Sequence, residues 1–250
     1  MKSTASAQPP AREAPVFTRI ALEQALRGGS CVICVAVHAS ERKSVHAFLY
    51  EGMMSPEVRQ NFLRKGGFCR RHFWMARQIE EDSWQAGGIG LAILCEDLLR
   101  LANKIVEQTD DVPRKNRLLI GRRAEPVAIT LGAPCIFCEE NATREAYLIE
   151  VLEELIEEPQ FHRILTDQPL CVGHSQIALA KWKSADNRSS MSDALRSHLQ
   201  RLTSQMRQFI EKHDHQRRSE LHPAEQNILR YAIDVLVGLD HSAHPEKESL

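Results

Sequence analysis

The chain has almost no net charge: 32 Lys and Arg stand against 33 Asp and Glu, leaving −1 at neutral pH. That excludes a global basic field of the kind that gathers nucleic acid, and an acidic excess of the kind that keeps a chain unfolded. No apolar run approaches the roughly 18 residues of a membrane span. The opening, Met1 to Pro15, is rich in Ser, Ala and Pro and has no apolar stretch like that of a signal peptide, so residues 1–15 are expected to be a disordered leader on a soluble, cytoplasmic protein. Signatures of catalysis are missing too. There is no Gly-rich phosphate loop, no H-E-x-x-H and no C-x-x-C-H haem motif. The two-residue alternation of a strand fails everywhere except a weak Val127 to Thr130, so the expected fold is all-α.

What the chain does have is paired cysteine. Six of its seven cysteines fall in C-x-x-C or C-x-x-H pairs, a spacing that in a reducing compartment points to metal or redox chemistry rather than structural disulfides. Cys31 and Cys34 are followed by Cys69 and His72; Cys135 and Cys138 are followed by Cys171 and His174. Each set offers three thiols and one imidazole, the ligand count and type of a closed tetrahedral site.

The second set repeats the first. Cys31 and Cys34 map onto Cys135 and Cys138 at an offset of 104, and Cys69 and His72 onto Cys171 and His174 at 102. Between them Val45 pairs with Ile149, Phe48 with Leu152 and Pro56 with Pro159. The stripe Leu91, Cys95, Leu98, Ala102, Ile105 falls on Leu195, Leu199, Leu202, Met206, Phe209 with helical spacing. The expected organisation is a first helical module over 16–109, a linker over 110–126 carrying Arg114 to Arg117, a second module over 127–218, an unrepeated C-terminal helix over 219–240, and a polar tail over 241–250. Each module is expected to fold around its own metal ion.

Local signals place the ligands. Gly28-Gly29 ends a first helix and Ser30 is a suitable N-cap for the next, which puts Cys31 and Cys34 in its first turn. Ser55-Pro56 reads as cap and first helical residue of a short helix stopped by Gly66-Gly67, after which Cys69 and His72 open another. The free N–H groups and positive dipole end at such helix starts favour thiolate over thiol.

Zinc, two ions per chain, is the expected cofactor; an iron–sulfur cluster is the alternative, because clusters also take thiolates and sometimes a histidine. Cys95 is expected to be a core thiol, since Leu199 replaces it in the repeat. His38 is a candidate spare ligand, with Ala142 as its counterpart. His162, His198, His213, His215 and His222 have no matched partners and are expected at the surface. The acidic stretch Glu139 to Glu158 holds eight glutamates, most of them expected to face solvent.

Four apparent ligands close each site, so no catalysis is expected, and the leading expectation is a protein acting through contacts with another protein. The alternatives are a redox or metal sensor, a metalloenzyme with an exchangeable fourth ligand, and a nucleic-acid-binding regulator using the linker and Lys181 to Arg218, where nine basic residues face four acidic ones. The last is not favoured, because only Trp182 and Phe209 are available there for base stacking.

At these residues the chain resembles an uncharacterised bacterial family of unknown function. The resemblance lies in the C-x-x-C pair, the segment Gly67-Phe68-Cys69-Arg70-Arg71-His72 and the helix opening Gly90 to Leu94, and it covers most of residues 17–239. The second module departs from it, with Pro169-Leu170 in place of the Gly-Phe pair. The resemblance supports the modules and the ligand set and implies no activity.

Overall fold

The computed structural model describes residues 15–82, 89–110, 135–212 and 227–239. The expected leader up to residue 14, the linker from residue 111, Val127 to Thr130, His213, His215, His222 and the tail lie outside these residues. Among the described residues the protein is all helix, with no strand. The helices are α1 (Val16–Ala25), α2 (Val32–Tyr50), α3 (Pro56–Arg64), α4 (Arg70–Asp82), α5 (Ile89–Asp110), α6 (Ile136–Leu155), α7 (Pro159–His162), α8 (Val172–Lys181), α9 (Ala185–Lys212) and α10 (Ile228–Val237).

The punctuation follows local chemistry. Gly29 takes a left-handed φ of 70°, which L side chains resist, and so ends the turn after α1. Ser55 accepts a hydrogen bond from the Val58 N–H and Pro56 occupies the first position of α3, where its missing N–H costs nothing. Pro159 likewise opens α7, there without a side-chain cap.

The chain divides into two compact units, and their boundaries fall between His38 and Ala39, inside α2, and between Ala142 and Thr143, inside α6. This corrects the expected partition into 16–109 and 127–218. Those spans repeat one another in sequence, but each compact unit takes part of its chain from each span.

The first unit contains α1, the start of α2, the later part of α6, and α7 to α10. Its core includes Leu22, Ile33, Ile149, Leu152, Phe161, Ile164 and Trp182. The Trp182 indole N–H donates to the Ile149 carbonyl at 2.9 Å, and Glu153 accepts from the Lys183 and Ser184 backbones at the entrance to α9. Arg19 of α1 reaches Glu158, which follows α6, with two of its guanidinium nitrogens. The second unit contains the later part of α2, α3 to α5 and the start of α6. Phe48, Phe62, Phe68 and Phe137 form its centre, with ring centroids 4.5 to 6.4 Å apart and mostly edge-on geometry.

Candidate metal centres

All four half-motifs are built alike. α2, α4, α6 and α8 each begin on the residue after a cysteine, and the carbonyls of Cys31, Cys69, Cys135 and Cys171 accept the first backbone bonds of those helices, from Val35, Phe73, Glu139 and Ser175. Cys31 thus stands one residue beyond the expected cap, Ser30. The second residue of each pair, three positions on, lies one helical turn above the first, so both project from the same end of the helix. This is why a two-residue spacer delivers two ligand atoms to one point.

The grouping differs from the expectation. Cys31 and Cys34 gather with Cys171 and His174, and Cys69 and His72 gather with Cys135 and Cys138. All eight predicted residues fall in the two groups, but each C-x-x-C pair meets the C-x-x-H pair of the other repeat. In each group one ligand atom per residue lies within 4.8 Å of every other, so the two groups could each hold a metal ion. In the first, Cys34 Sγ is 3.8 Å from Cys171 Sγ, and His174 Nδ1 is 3.1 to 3.4 Å from the three sulfurs. In the second, Cys69 Sγ is 3.7 Å from Cys138 Sγ, and His72 Nδ1 is 3.1 to 3.6 Å from the three sulfurs. His38 belongs to neither group, and half-buried Cys95 stands outside both.

The imidazoles are held from behind. His72 Nε2 is 2.7 Å from Glu41 and His174 Nε2 is 2.7 Å from Glu145. A carboxylate on Nε2 fixes the ring and turns Nδ1 toward the sulfurs, the usual device for orienting a metal-bound histidine. Glu41 is completely buried and also accepts from Arg71 and Asn141. Glu145 is partly exposed, and Gly173 and Val37 stand where the repeat would place the arginine and asparagine.

These two glutamates were missed in the sequence, yet a signal was there. Each comes ten residues after the first cysteine of its repeat, at the same offset of 104. Ten helical residues rise about 15 Å, so neither can serve the cysteines of its own helix start. Each long helix therefore gives thiols to one site and a carboxylate to the other. Replacing Glu145 with Gln is expected to weaken metal binding at the first site about 10- to 100-fold, measured by competition with a chelator, and to leave the second site unchanged.

Charge inside the groups follows the same contacts. Burial pulls His72 down, but hydrogen bonding to Cys135, Glu41 and Cys69 outweighs it and raises the imidazole to about 10. Burial lifts Cys135, and its contacts with His72 and nearby N–H groups outweigh that, bringing the thiol down to about 6. His174 is likewise raised, to about 12, by Cys171, Cys31 and Glu145 against burial. Contacts with Cys31, Cys34 and His174 hold Cys171 far below the usual thiol range. In each group the contacts favour a deprotonated thiol beside a protonated imidazole, so metal binding is expected to release protons. Affinity is accordingly expected to fall as pH falls.

The surroundings of the thiols differ as well. The first group is covered by the end of α10: a Cβ on Gly238, which has φ 86°, would lie 3.1 Å from Cys34 Sγ and 3.8 Å from Cys171 Sγ. The Leu239 N–H also donates to Cys34. Cys31, Cys34 and Cys171 are buried, whereas Cys138 is exposed and Cys69 half-buried. His198 corrects its expected surface position: it is buried, with Nε2 3.2 Å from the Tyr231 hydroxyl of α10.

A model of a family of unknown function (DUF6062) matches residues 17–238 of the chain. No curated protein and no solved structure matches it.

Proposed function

Since the chain belongs to this family of unknown function, its chemistry has to be read from its own residues, and we propose that it is a zinc protein with one structural ion in each Cys3His group. The observation that carries this reading is the span of the groups. A tetrahedron with metal–sulfur bonds of about 2.3 Å has sulfur–sulfur edges of about 3.8 Å, and the Cys34–Cys171 and Cys69–Cys138 sulfurs are 3.8 and 3.7 Å apart. In a cluster the four ligands are divided among two or more irons around an inorganic core, so ligands on different irons stand farther apart. Four ligand atoms all within 4.8 Å leave no room for that core, which favours a single ion. Cys31, Cys34, Cys171 and His174 would hold one ion, and Cys69, His72, Cys135 and Cys138 the other.

The role would be non-enzymatic, because four protein ligands leave no open position for substrate. Contacts with another protein fit the exposed apolar residues Leu229, Ile233 and Leu236, which lie one and two turns apart along α10. Nucleic acid is less well supported, since Trp182 is buried and unavailable for stacking. Among the described residues no single helix is long and apolar enough to cross a membrane. A cytoplasmic location remains part of the proposal, because a reducing compartment keeps six paired thiols free for metal.

Elemental analysis with an absorption spectrum, on protein purified without oxygen, tests the metal assignment. The expected result is two zinc ions per chain and no visible colour. Iron with labile sulfide, or no metal, would contradict it.

A further inference from the structure

The duplication makes the two sites internal controls for one another. Cys34 corresponds to Cys138 and Cys171 to Cys69, so the pair Cys34–Cys171, 3.8 Å apart, and the pair Cys69–Cys138, 3.7 Å apart, are the same edge of the same tetrahedron. The first edge lies under Gly238 and Leu239 at the end of α10. At the equivalent edge of the second site Cys138 is exposed and Cys69 half-buried. The opposite side of that site is closed: His72 and Glu41 are both fully buried, and Glu41 is held by Arg71 and Asn141.

We propose that the Cys69–Cys138 edge is a thiol-modification site, at which a peroxide oxidises this pair to a disulfide and releases the metal of the second site while the first site keeps its own. The proposal rests on the metal reading above. A metal-bound thiol is already deprotonated, and accessible thiolates are the ones that peroxides attack. The Cys138 sulfur attacks the peroxide O–O bond, forming an S–O bond and expelling hydroxide, which a proton converts to water. The Cys69 sulfur then attacks the Cys138 sulfenic sulfur, forming S–S and breaking S–O, and a second proton carries that oxygen off as water. Two electrons pass from the two sulfurs to the peroxide. Cys135 and His72 alone do not complete a closed site, so the ion leaves as a dication.

The test uses the full-length chain, with its metal content measured first. Hydrogen peroxide is added with a chromogenic zinc chelator present, and disulfides are mapped by peptide mass spectrometry. The expected result is release in two phases of one equivalent each, separated by at least roughly tenfold in rate, with Cys69–Cys138 the linkage of the fast phase. Release of both equivalents in a single phase, or earlier linkage of Cys34 with Cys171, would overturn the proposal. Gly238→Ala should speed the slow phase alone, because its new methyl group forces the end of α10 away from Cys34. An unchanged slow phase would contradict the covering role of α10. Alkylation of the unmodified chain gives a check that needs no variant: Cys138 should react before Cys34, and the reverse order would overturn the proposal. A chain that holds no metal at the outset contradicts the metal reading itself, whereas two ions lost in one phase contradict only this inference.

Discussion

Replacing Cys69 with serine is expected to remove one of two metal ions and to leave Cys135 and Cys138, not Cys31 and Cys34, open to alkylation. The reason is the crossed grouping: Cys69 shares its site with His72, Cys135 and Cys138. A structural zinc contributes on the order of 10 kcal/mol at neutral pH, comparable to the roughly 5–15 kcal/mol net stability of a whole domain. The second unit should therefore lose its cooperative unfolding transition, while the first unit retains its metal and Cys31, Cys34 and Cys171 stay protected. Cys95→Ser is the control, since Cys95 lies outside both groups and is only half-buried. Metal analysis with alkylation mapping reads all of these outcomes. Protection of Cys135 and Cys138 in the Cys69→Ser protein would contradict the grouping.

The second large effect concerns the chain as a whole. A cut anywhere between His72 and Cys135 leaves one fragment with Cys31, Cys34, Cys69 and His72, and another with Cys135, Cys138, Cys171 and His174. Were the repeats self-contained, each fragment would hold one zinc and fold. With crossed sites each fragment carries half of both centres and only part of each core, since the first core joins Leu22 and Ile33 to Ile149 and Phe161, and the second joins Phe48 and Phe68 to Phe137. Each fragment alone is expected to be largely unfolded and to bind metal weakly. Mixing them with zinc should restore helix content and two tightly held ions. Circular dichroism with metal titration of the separate and mixed fragments reads this. A fragment that folds alone around one zinc would refute it.

Much of this architecture is written locally and was legible. The helix starts follow from Ser55-Pro56, from the glycines near residues 28 and 66, and from cysteine pairs whose three-residue step matches one helix turn. The pairing was not legible, for a physical reason. The two C-x-x-C pairs are chemically interchangeable, as are the two C-x-x-H pairs, so ligand chemistry does not choose between partners. Sequence proximity favours the wrong choice: Cys34 is 35 residues from Cys69 and 137 from Cys171. Yet loop closure over the longer span costs only about 1 kcal/mol more, little against the burial that joins α1, α2, α6 and α8 in one core. Tertiary packing decides, and no local pattern records it.

Glu41 and Glu145 were hidden differently. A glutamate in a helix as acidic as α6 reads as solvated, and Glu139, Glu140, Glu150, Glu154 and Glu157 are indeed exposed. Only the matched offset singles out Glu145 from that set. His198 was misplaced because its partner, Tyr231, lies on the helix that has no repeat, where the duplication offers no comparison.

Cadmium-113 NMR of the metal-substituted full-length protein tests the crossed grouping most directly, because scalar couplings tie each metal to the side-chain protons of its own ligands. One resonance should couple to Cys31, Cys34, Cys171 and His174, and the other to Cys69, His72, Cys135 and Cys138. A resonance coupled to Cys31, Cys34, Cys69 and His72 together would contradict the account and restore two self-contained modules.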